Sequence, residues 1–219
     1  MSNKIKVLLV DDHPLVREGL VNLINQQAGL EVCGEAGSEP QALEMAAMAN
    51  PDVAVVDITL ENGSGLELLK SLKAGYPSVK ALVLSMHDES LYAERALQAG
   101  ARGYIMKREA AKKVIAGIHA VHAGQIFVSE KISSALTEKF IGGGSAKDAS
   151  PVEQLSDREL QVFELIGRGQ GTRQISETLH VGFKTVQAYQ ARIKEKLNLA
   201  NASELMRAAI RWSDSRQQK

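Results

Sequence analysis

The sequence predicts an open, doubly wound α/β domain followed by a small all-α domain, and three observations predict it. Short continuous apolar runs alternate with helical patterns along the front part of the chain. A polar stretch, Gly142-Gly143-Gly144-Ser145-Ala146-Lys147-Asp148-Ala149-Ser150-Pro151, then breaks the pattern and reads as a flexible linker. From Leu155 onward every pattern is helical.

The strand runs are Val7-Leu8-Leu9-Val10, Val53-Ala54-Val55-Val56, Ala81-Leu82-Val83-Leu84 and Gly103-Tyr104-Ile105-Met106, with a weaker fifth over Leu30–Ala36. None alternates polar with apolar residues, which fits strands of a parallel sheet covered on both faces. Helical spacing follows Pro14 (Val16, Leu20, Leu23, Ile24) and Pro40 (Leu43, Ala46, Ala47), then returns at Leu66, Leu69, Leu72 and at Val114, Ile115, Ile118, Val121. A further helix is expected over about Glu130–Ile141. In the tail, Ser156 and Glu159 are spaced as a capping box, and Asn201 and Glu204 repeat that spacing before the last helix. Between them a short helix with Ile175 and Leu179 inward, a turn at His180-Val181-Gly182 and a longer helix with Val186, Ile193 and Leu197 inward predict a helix-turn-helix. The expected division is 1–124, a connecting helix and linker at 125–154, and 155–219.

A chain of 219 residues with 44% hydrophobic and 24% charged residues excludes disordered and fibrous classes. The single cysteine, Cys33, forms no internal disulfide and is expected to serve packing. No run approaches the roughly 20 apolar residues of a membrane span, and no signal-peptide core precedes the first strand, so a cytoplasmic location is expected. The zero net charge hides an asymmetry. Residues 1–141 hold 14 Lys+Arg against 17 Asp+Glu, net −3, whereas residues 155–219 hold 11 against 7, net +4. The basic tail is the candidate for nucleic acid, with a solvated helical surface as the alternative.

The strong strands end in Asp11-Asp12, Asp57, Ser85 and Lys107. In open α/β sheets ligands bind beyond the carboxyl ends of the strands, so these side chains are expected to converge. Taken singly, Asp12 reads first as a helix cap and Lys107 as a solvated lysine. Taken together, three carboxylates need a hard divalent cation such as magnesium (Mg2+) among them. Asp57 then suits the role of a carboxylate nucleophile towards phosphorus, with Lys107 on the phosphoryl oxygens and Ser85 donating one hydrogen bond.

These residues, with the loop from Asp57 through Glu61 and Asn62 to Gly65, the run Leu84-Ser85-Met86-His87 and the run Gly100-Ala101-Arg102-Gly103-Tyr104-Ile105-Met106-Lys107, resemble the receiver domain of bacterial response regulators over roughly 5–121. The resemblance implies a flavodoxin-like sheet of strand order 2-1-3-4-5. It also implies phosphorylation of Asp57 by a partner histidine kinase and Mg2+ held by Asp11, Asp12, Asp57 and the backbone carbonyl of Thr59. Tyr104 matches the aromatic that turns inward when the switch hydroxyl moves; a packed aromatic beside the last strand is the alternative. His87 lies where the family tunes loss of the phosphoryl group, with a solvated loop histidine as the alternative. Two departures stand out: Glu61 and Arg108 occupy positions where the family usually has proline.

Residues 155–210 resemble the DNA-binding domain of LuxR-type regulators, so the whole chain resembles the NarL/FixJ arrangement. The residues carrying this are Leu155-Ser156-Asp157-Arg158-Glu159, Leu165-Ile166-Gly167-Arg168-Gly169, Ile175-Ser176, Lys184-Thr185-Val186 and Arg192-Ile193-Lys194-Glu195-Lys196-Leu197. The longer helix turns Lys184, Gln187, Ala188 and Ala191 away from its apolar side, and a major groove admits one such helix. Arg173, Lys184, Arg192 and Lys194 are assigned to phosphates, Gln187, Ala188 and Ala191 to base edges, and Thr185 is counted with them as DNA-binding. Gln187 and Tyr189 replace the basic residue and histidine common in relatives, so a different target sequence is expected. The last helix presents Leu205, Ala208, Ala209 and Trp212. The resemblance makes that side a dimer surface of an active homodimer, and completion of the domain core is the alternative. A magnesium-dependent phosphohydrolase is the competing enzyme reading, and it lacks a second acid to activate water.

Overall fold

The computed structural model describes residues 4–60, 63–141 and 151–217, which divide into two compact units, Met1–Gly143 and Gly144–Lys219. The first unit begins β1 (Ile5–Val10), α1 (Pro14–Asn25), β2 (Leu30–Ala36), α2 (Glu39–Ala49) and β3 (Val53–Val56). A two-rung hairpin of β4 (Thr59–Leu60) and β5 (Gly63–Ser64) follows, then α3 (Gly65–Gly75), β6 (Lys80–Ser85), α4 (Glu89–Ala99) and β7 (Ala101–Met106). A 3-10 turn at Lys107–Glu109, α5 (Ala110–His122) and α6 (Glu130–Ile141) complete it.

The five long strands pair in parallel in the order β2-β1-β3-β6-β7, the flavodoxin-like order expected. Continuous apolar runs fit because helices cover both faces. Val7, Leu9, Val53, Val55, Leu82, Leu84 and Ile105 pack with Ile24 of α1 and Val114, Ile118 and Val121 of α5. The alternate residues Leu8, Val10, Ala54, Val56 and Val83 are equally buried, on the opposite face as the period of two requires. The weak run Leu30–Ala36 is the edge strand β2. Its register with β1 slips between Val7 and Leu8, leaving Cys33 at the irregularity, half-buried, with burial pushing its thiol pKa up.

The other edge is covered by chain rather than by a helix. Tyr104 N–H donates to the Phe127 carbonyl (2.8 Å) and Phe127 N–H to that of Arg102 (2.9 Å). Gly103 permits this approach, since a Cβ there would lie 2.7 Å from the Phe127 oxygen. The chain then enters α6, which rests on α4 through Ser129 Oγ donating to Glu89 Oε1 (2.9 Å) and Lys139 Nζ to Glu94 Oε1 (2.6 Å).

The second unit is helical: α7 (Asp157–Gly167), α8 (Thr172–Thr178), α9 (Phe183–Lys196) and α10 (Ala202–Gln217). The capping box at Ser156 and Glu159 forms. Asn201 and Glu204 likewise exchange bonds at the start of α10, Glu204 N–H donating to Asn201 Oδ1 (3.0 Å). His180 takes φ 50° in the turn between α8 and α9, while Gly182 caps α9. Leu205 and Ala209 of α10 are buried against α7, and Trp212 meets Phe163 at a ring distance of 5.5 Å. Gly167 makes the helix crossing close, because a Cβ there would lie 2.7 Å from the Ala209 oxygen. That side of α10 therefore completes the domain core, and the residues left outside include Met206 and Ile210. The linker 142–150 and the departure at Glu61 lie outside the described residues.

Candidate functional site

Backbone register brings the strand ends together before any side chain acts. Val10 pairs with Val56 across β1 and β3, so Asp11 and Asp57 emerge side by side; Asp57 N–H donates to the Val10 carbonyl (2.8 Å). Ser85 pairs with Met106 across β6 and β7, which sets Lys107 one residue beyond. Lys107 Nζ lies 2.5 Å from Asp11 Oδ2 and 2.7 Å from Asp57 Oδ2. Asp11, Asp57 and Ser85 are buried. The loop after Asp57 is held tight at Gly65, where a Cβ would lie 1.9 Å from the Asp57 carbonyl oxygen.

The sequence reading did not include His13, although it follows the acidic pair directly. Its Nδ1 lies 2.7 Å from Asp12 Oδ1 and 3.1 Å from Asp11 Oδ1, and its N–H donates to Asp11 Oδ1 (2.9 Å). His13, not Asp12, is the N-cap residue of α1, and it makes no side-chain cap. Asp11, Asp12, His13 and Asp57 each offer a ligand atom, all within 4.8 Å of one another. Asp57 Oδ1 is buried without a hydrogen-bond partner among the described residues, while Asp12 Oδ1 faces the His13 ring. Buried anionic oxygens left open among carboxylates are what a hard divalent cation binds. Burial pushes the Asp57 carboxyl up, against the Lys107 ammonium that favours its charged form. Burial pulls Lys107 down, but Asp57 and Asp11 outweigh it and leave its pKa above the ordinary lysine value.

On the α4 side of the cluster, the Ser85 hydroxyl accepts from His87 N–H (3.3 Å) and steadies the charged form of Asp57. His87 bridges two loops: Nε2 meets Thr59 Oγ1 at 3.1 Å and its ring lies 4.5 Å from that of Tyr92. Tyr104 is buried with its hydroxyl donating to the His87 carbonyl (2.9 Å). This buried, inward position is compatible with both of its readings and adds a polar tie to the loop that leads into α4. The Thr59–His87 bridge was not legible, because it joins residues 28 positions apart.

In the second unit, Arg173, Lys184, Thr185, Gln187, Ala188, Ala191 and Arg192 are all exposed and Lys194 is half-buried. Val186 and Ile193 of α9 are buried, so the outward face is the one expected. Gln190 Nε2 donates to Thr172 Oγ1 (3.2 Å) and locks α9 to α8. Lys196 Nζ donates to Glu159 Oε2 (2.6 Å) and ties α9 to the capping box of α7. Arg173 Nε faces Glu177 Oε1 at 3.4 Å.

Residues 7–119 match the family model of the response regulator receiver domain, and residues 153–209 match that of the bacterial regulatory proteins of the luxR family. The chain belongs to the response regulators. The oxygen regulatory protein NreC of Staphylococcus epidermidis is 33% identical over 211 residues, covering 94% of this chain and 97% of that relative. A LuxR-family two-component response regulator from Aurantimonas sp. SI85-9A1 is 32% identical with a TM-score of 0.58, over 64% of this chain and 99% of that one. The RcsB response regulator of Salmonella typhimurium shares the fold, with a TM-score of 0.65 at 23% identity over 94% of this chain and 97% of its own. A response regulator with these two domains is a two-component transcription regulator that binds DNA and takes its signal from a histidine kinase; its family is not one of enzymes, so the phosphohydrolase reading falls.

Proposed function

We propose that Asp57 is the phosphoacceptor and that phosphorylation there controls DNA binding by α9. The observation that carries this is the asymmetry of the Asp57 carboxylate: Oδ2 is held by Lys107 while Oδ1 is open. An Asp57 oxygen forms the bond to phosphorus as the bond from phosphorus to a histidine nitrogen of the kinase breaks, and that imidazole keeps the electron pair. Lys107 is placed to follow the phosphoryl oxygens, and the Ser85 hydroxyl to donate to one of them. Magnesium (Mg2+) held by Asp11, Asp12, Asp57 and the Thr59 carbonyl would supply charge neutralisation at the phosphoryl oxygens. Movement of Ser85 would pull on His87 and thereby on Tyr104 and the start of α4, where Glu89 holds Ser129 ahead of α6. That chain of bonds supports α6 as the outgoing connection.

On the output side, Arg173, Lys184, Thr185, Arg192 and Lys194 serve the DNA backbone, and Gln187, Ala188 and Ala191 read the major groove. The active form is a homodimer, consistent with Met206 and Ile210 left exposed on α10. We assign 1–124 to the receiver, 125–154 to the connection and 155–219 to the DNA-binding domain. No helix among the described residues is long and apolar enough to cross a membrane, and we assign the protein to the cytoplasm, in keeping with a DNA target. The experiment is intact-mass measurement after incubation with acetyl phosphate and magnesium. One phosphoryl group should add to the wild type and none to Asp57→Asn. Labelling that persists in that variant, or proceeds equally with magnesium chelated, removes the assignment.

A further inference from the structure

A cavity of about 440 Å³ opens in the first unit at the end of the sheet opposite the acidic cluster, where β6 and β7 begin. Apolar walls come from Leu72 of α3, Val79 before β6, Leu97 of α4, Ile126 from the stretch between α5 and α6, and Leu136 of α6. Ile126 stands 54% exposed at this opening. The charged part of the lining is entirely cationic. Lys73, Lys80 and Arg102 border the cavity, and no Asp or Glu is among the residues that line it. None of the three cations has an ion pair among the described residues, and Lys80 Nζ reaches only the Pro77 carbonyl at 3.4 Å. The Lys73 stem is laid across Gly100, where a Cβ would lie 2.9 Å from its Cδ.

Three like charges around one apolar opening, with no acid in the lining, favour a positive local potential there. An inorganic anion would answer the charges and leave the walls wet. An uncharged hydrocarbon would dry the walls and leave the cations unanswered. The volume falls in the range of about 300–1,000 Å³ usual for small-molecule sites. We propose that this cavity binds a soluble, single-chain amphipathic anion, its hydrocarbon against Leu72, Val79, Leu97 and Leu136 and its carboxylate or phosphate head among Lys73, Lys80 and Arg102. Since Leu136 lies on α6, an occupant holds that helix against α4 alongside the Lys139–Glu94 pair. The site is a second input, separate from Asp57.

The test is calorimetric titration of the full chain with sodium decanoate and with monodecyl phosphate, each below its aggregation concentration. Decanol, inorganic phosphate and anionic phosphatidylglycerol vesicles form the comparison arms. Saturable one-to-one binding of decanoate or decyl phosphate is expected, at least tenfold tighter than decanol, with no measurable binding of inorganic phosphate; the tighter of the two identifies the head group. The double variant Lys73→Glu/Arg102→Glu should lose at least tenfold in affinity for both amphiphiles. It should keep wild-type acetyl phosphate labelling, which shows that the unit still folds. Amide exchange in α6 should slow when decanoate is present. The proposal is overturned if neither amphiphile saturates, if decanol binds as tightly, if the double variant binds as well as wild type, or if the chain binds only the vesicles.

Discussion

In the first unit the side chains proposed to carry the chemistry are buried, with Asp11, Asp57 and Ser85 only 3%, 4% and 0% exposed. In the second, Lys184, Gln187, Ala188 and Ala191 face solvent while only the neighbouring Val186 and Ile193 are buried. The difference separates two ways of building a site. Around Asp57, strand register, a tight loop and a lysine between two carboxylates fix every atom, so a change there breaks the unit's function. On α9 the core holds the helix and leaves the outer positions free, so a change there redirects function without breaking the fold. Predictions that place each unit's substitutions on the other unit's pattern test this contrast.

The largest effect is expected at Gly65. A Cβ 1.9 Å from the Asp57 carbonyl oxygen cannot be accommodated without moving the backbone that carries Asp57, the proposed phosphoacceptor. Gly65→Ala should cost the first unit about 1–3 kcal/mol, as overpacking does, and should slow acetyl phosphate labelling by more than tenfold. Unfolding followed by circular dichroism and labelling followed by intact mass check the two parts. Normal labelling in a folded variant would show that the loop is not the rigid element described.

Next comes a position where the second unit behaves like the first. Glu159 is buried, closes the capping box and accepts from Lys196. Burial pushes its carboxyl up, but Lys196 and the Ser156 backbone outweigh burial and hold its pKa below the usual carboxylate range. A depressed folded pKa means stabilisation that is present above the unfolded value, about 4.3, and lost as pH falls through the folded one. Glu159→Gln should therefore cost about 1–3 kcal/mol at pH 7, with the gap to wild type closing below about pH 4. The only tryptophan, Trp212, sits against Phe163 in this unit and reports its unfolding in urea. A gap that stays constant from pH 7 to pH 3 would show that the charge contributes nothing.

These two positions also mark how far the sequence was legible. Four apolar runs and a weaker fifth were enough for five parallel strands, because burial on both faces leaves a signature in neighbouring residues. The Glu130–Ile141 helix and both capping spacings were equally local. What was missed depends on contacts through space. The tightness at Gly65, the Thr59–His87 bridge and the Lys196–Glu159 pair join distant residues, and the sequence holds no period that announces them. His13 adjoins the acidic pair in sequence, yet its approach to Asp11 and Asp12 depends on the turn into α1, which residue spacing does not announce. The last helix runs on to Gln217, although its final turn, Ser213-Asp214-Ser215-Arg216, carries no apolar repeat to announce it.

A smaller effect, and one of kind rather than of stability, is expected at Gln187. Assigned to a base edge, its replacement by Ala should cost about 1–3 kcal/mol on the best site and relax preference at one base pair per half-site. Gln187→Lys should move that preference towards guanine, whose O6 and N7 both accept hydrogen bonds. Selection from random DNA at one salt concentration reads both changes. An unchanged motif in both variants would move base reading elsewhere on the helix.

The smallest effect distinguishes two cations assigned to the same task. Lys184 is exposed with no ion pair among the described residues, whereas Arg173 already faces Glu177 at 3.4 Å on an exposed helix surface. A phosphate contact made by a free lysine adds a full counterion release, so Lys184→Ala should lower the slope of log affinity against log salt by about one. Arg173 must share its charge with Glu177 or leave it to reach a phosphate, and an exposed pair of this kind is worth only about 0.3–0.5 kcal/mol. Arg173→Ala should therefore lower the slope by less than Lys184→Ala does, and Glu177→Gln should raise affinity for all sequences slightly. Binding isotherms on one specific and one unrelated duplex, each at several salt concentrations, supply the slopes. Equal slopes for the two alanine variants would mean that Glu177 releases Arg173 without cost, and a slope unchanged by Lys184→Ala would take that residue off the DNA.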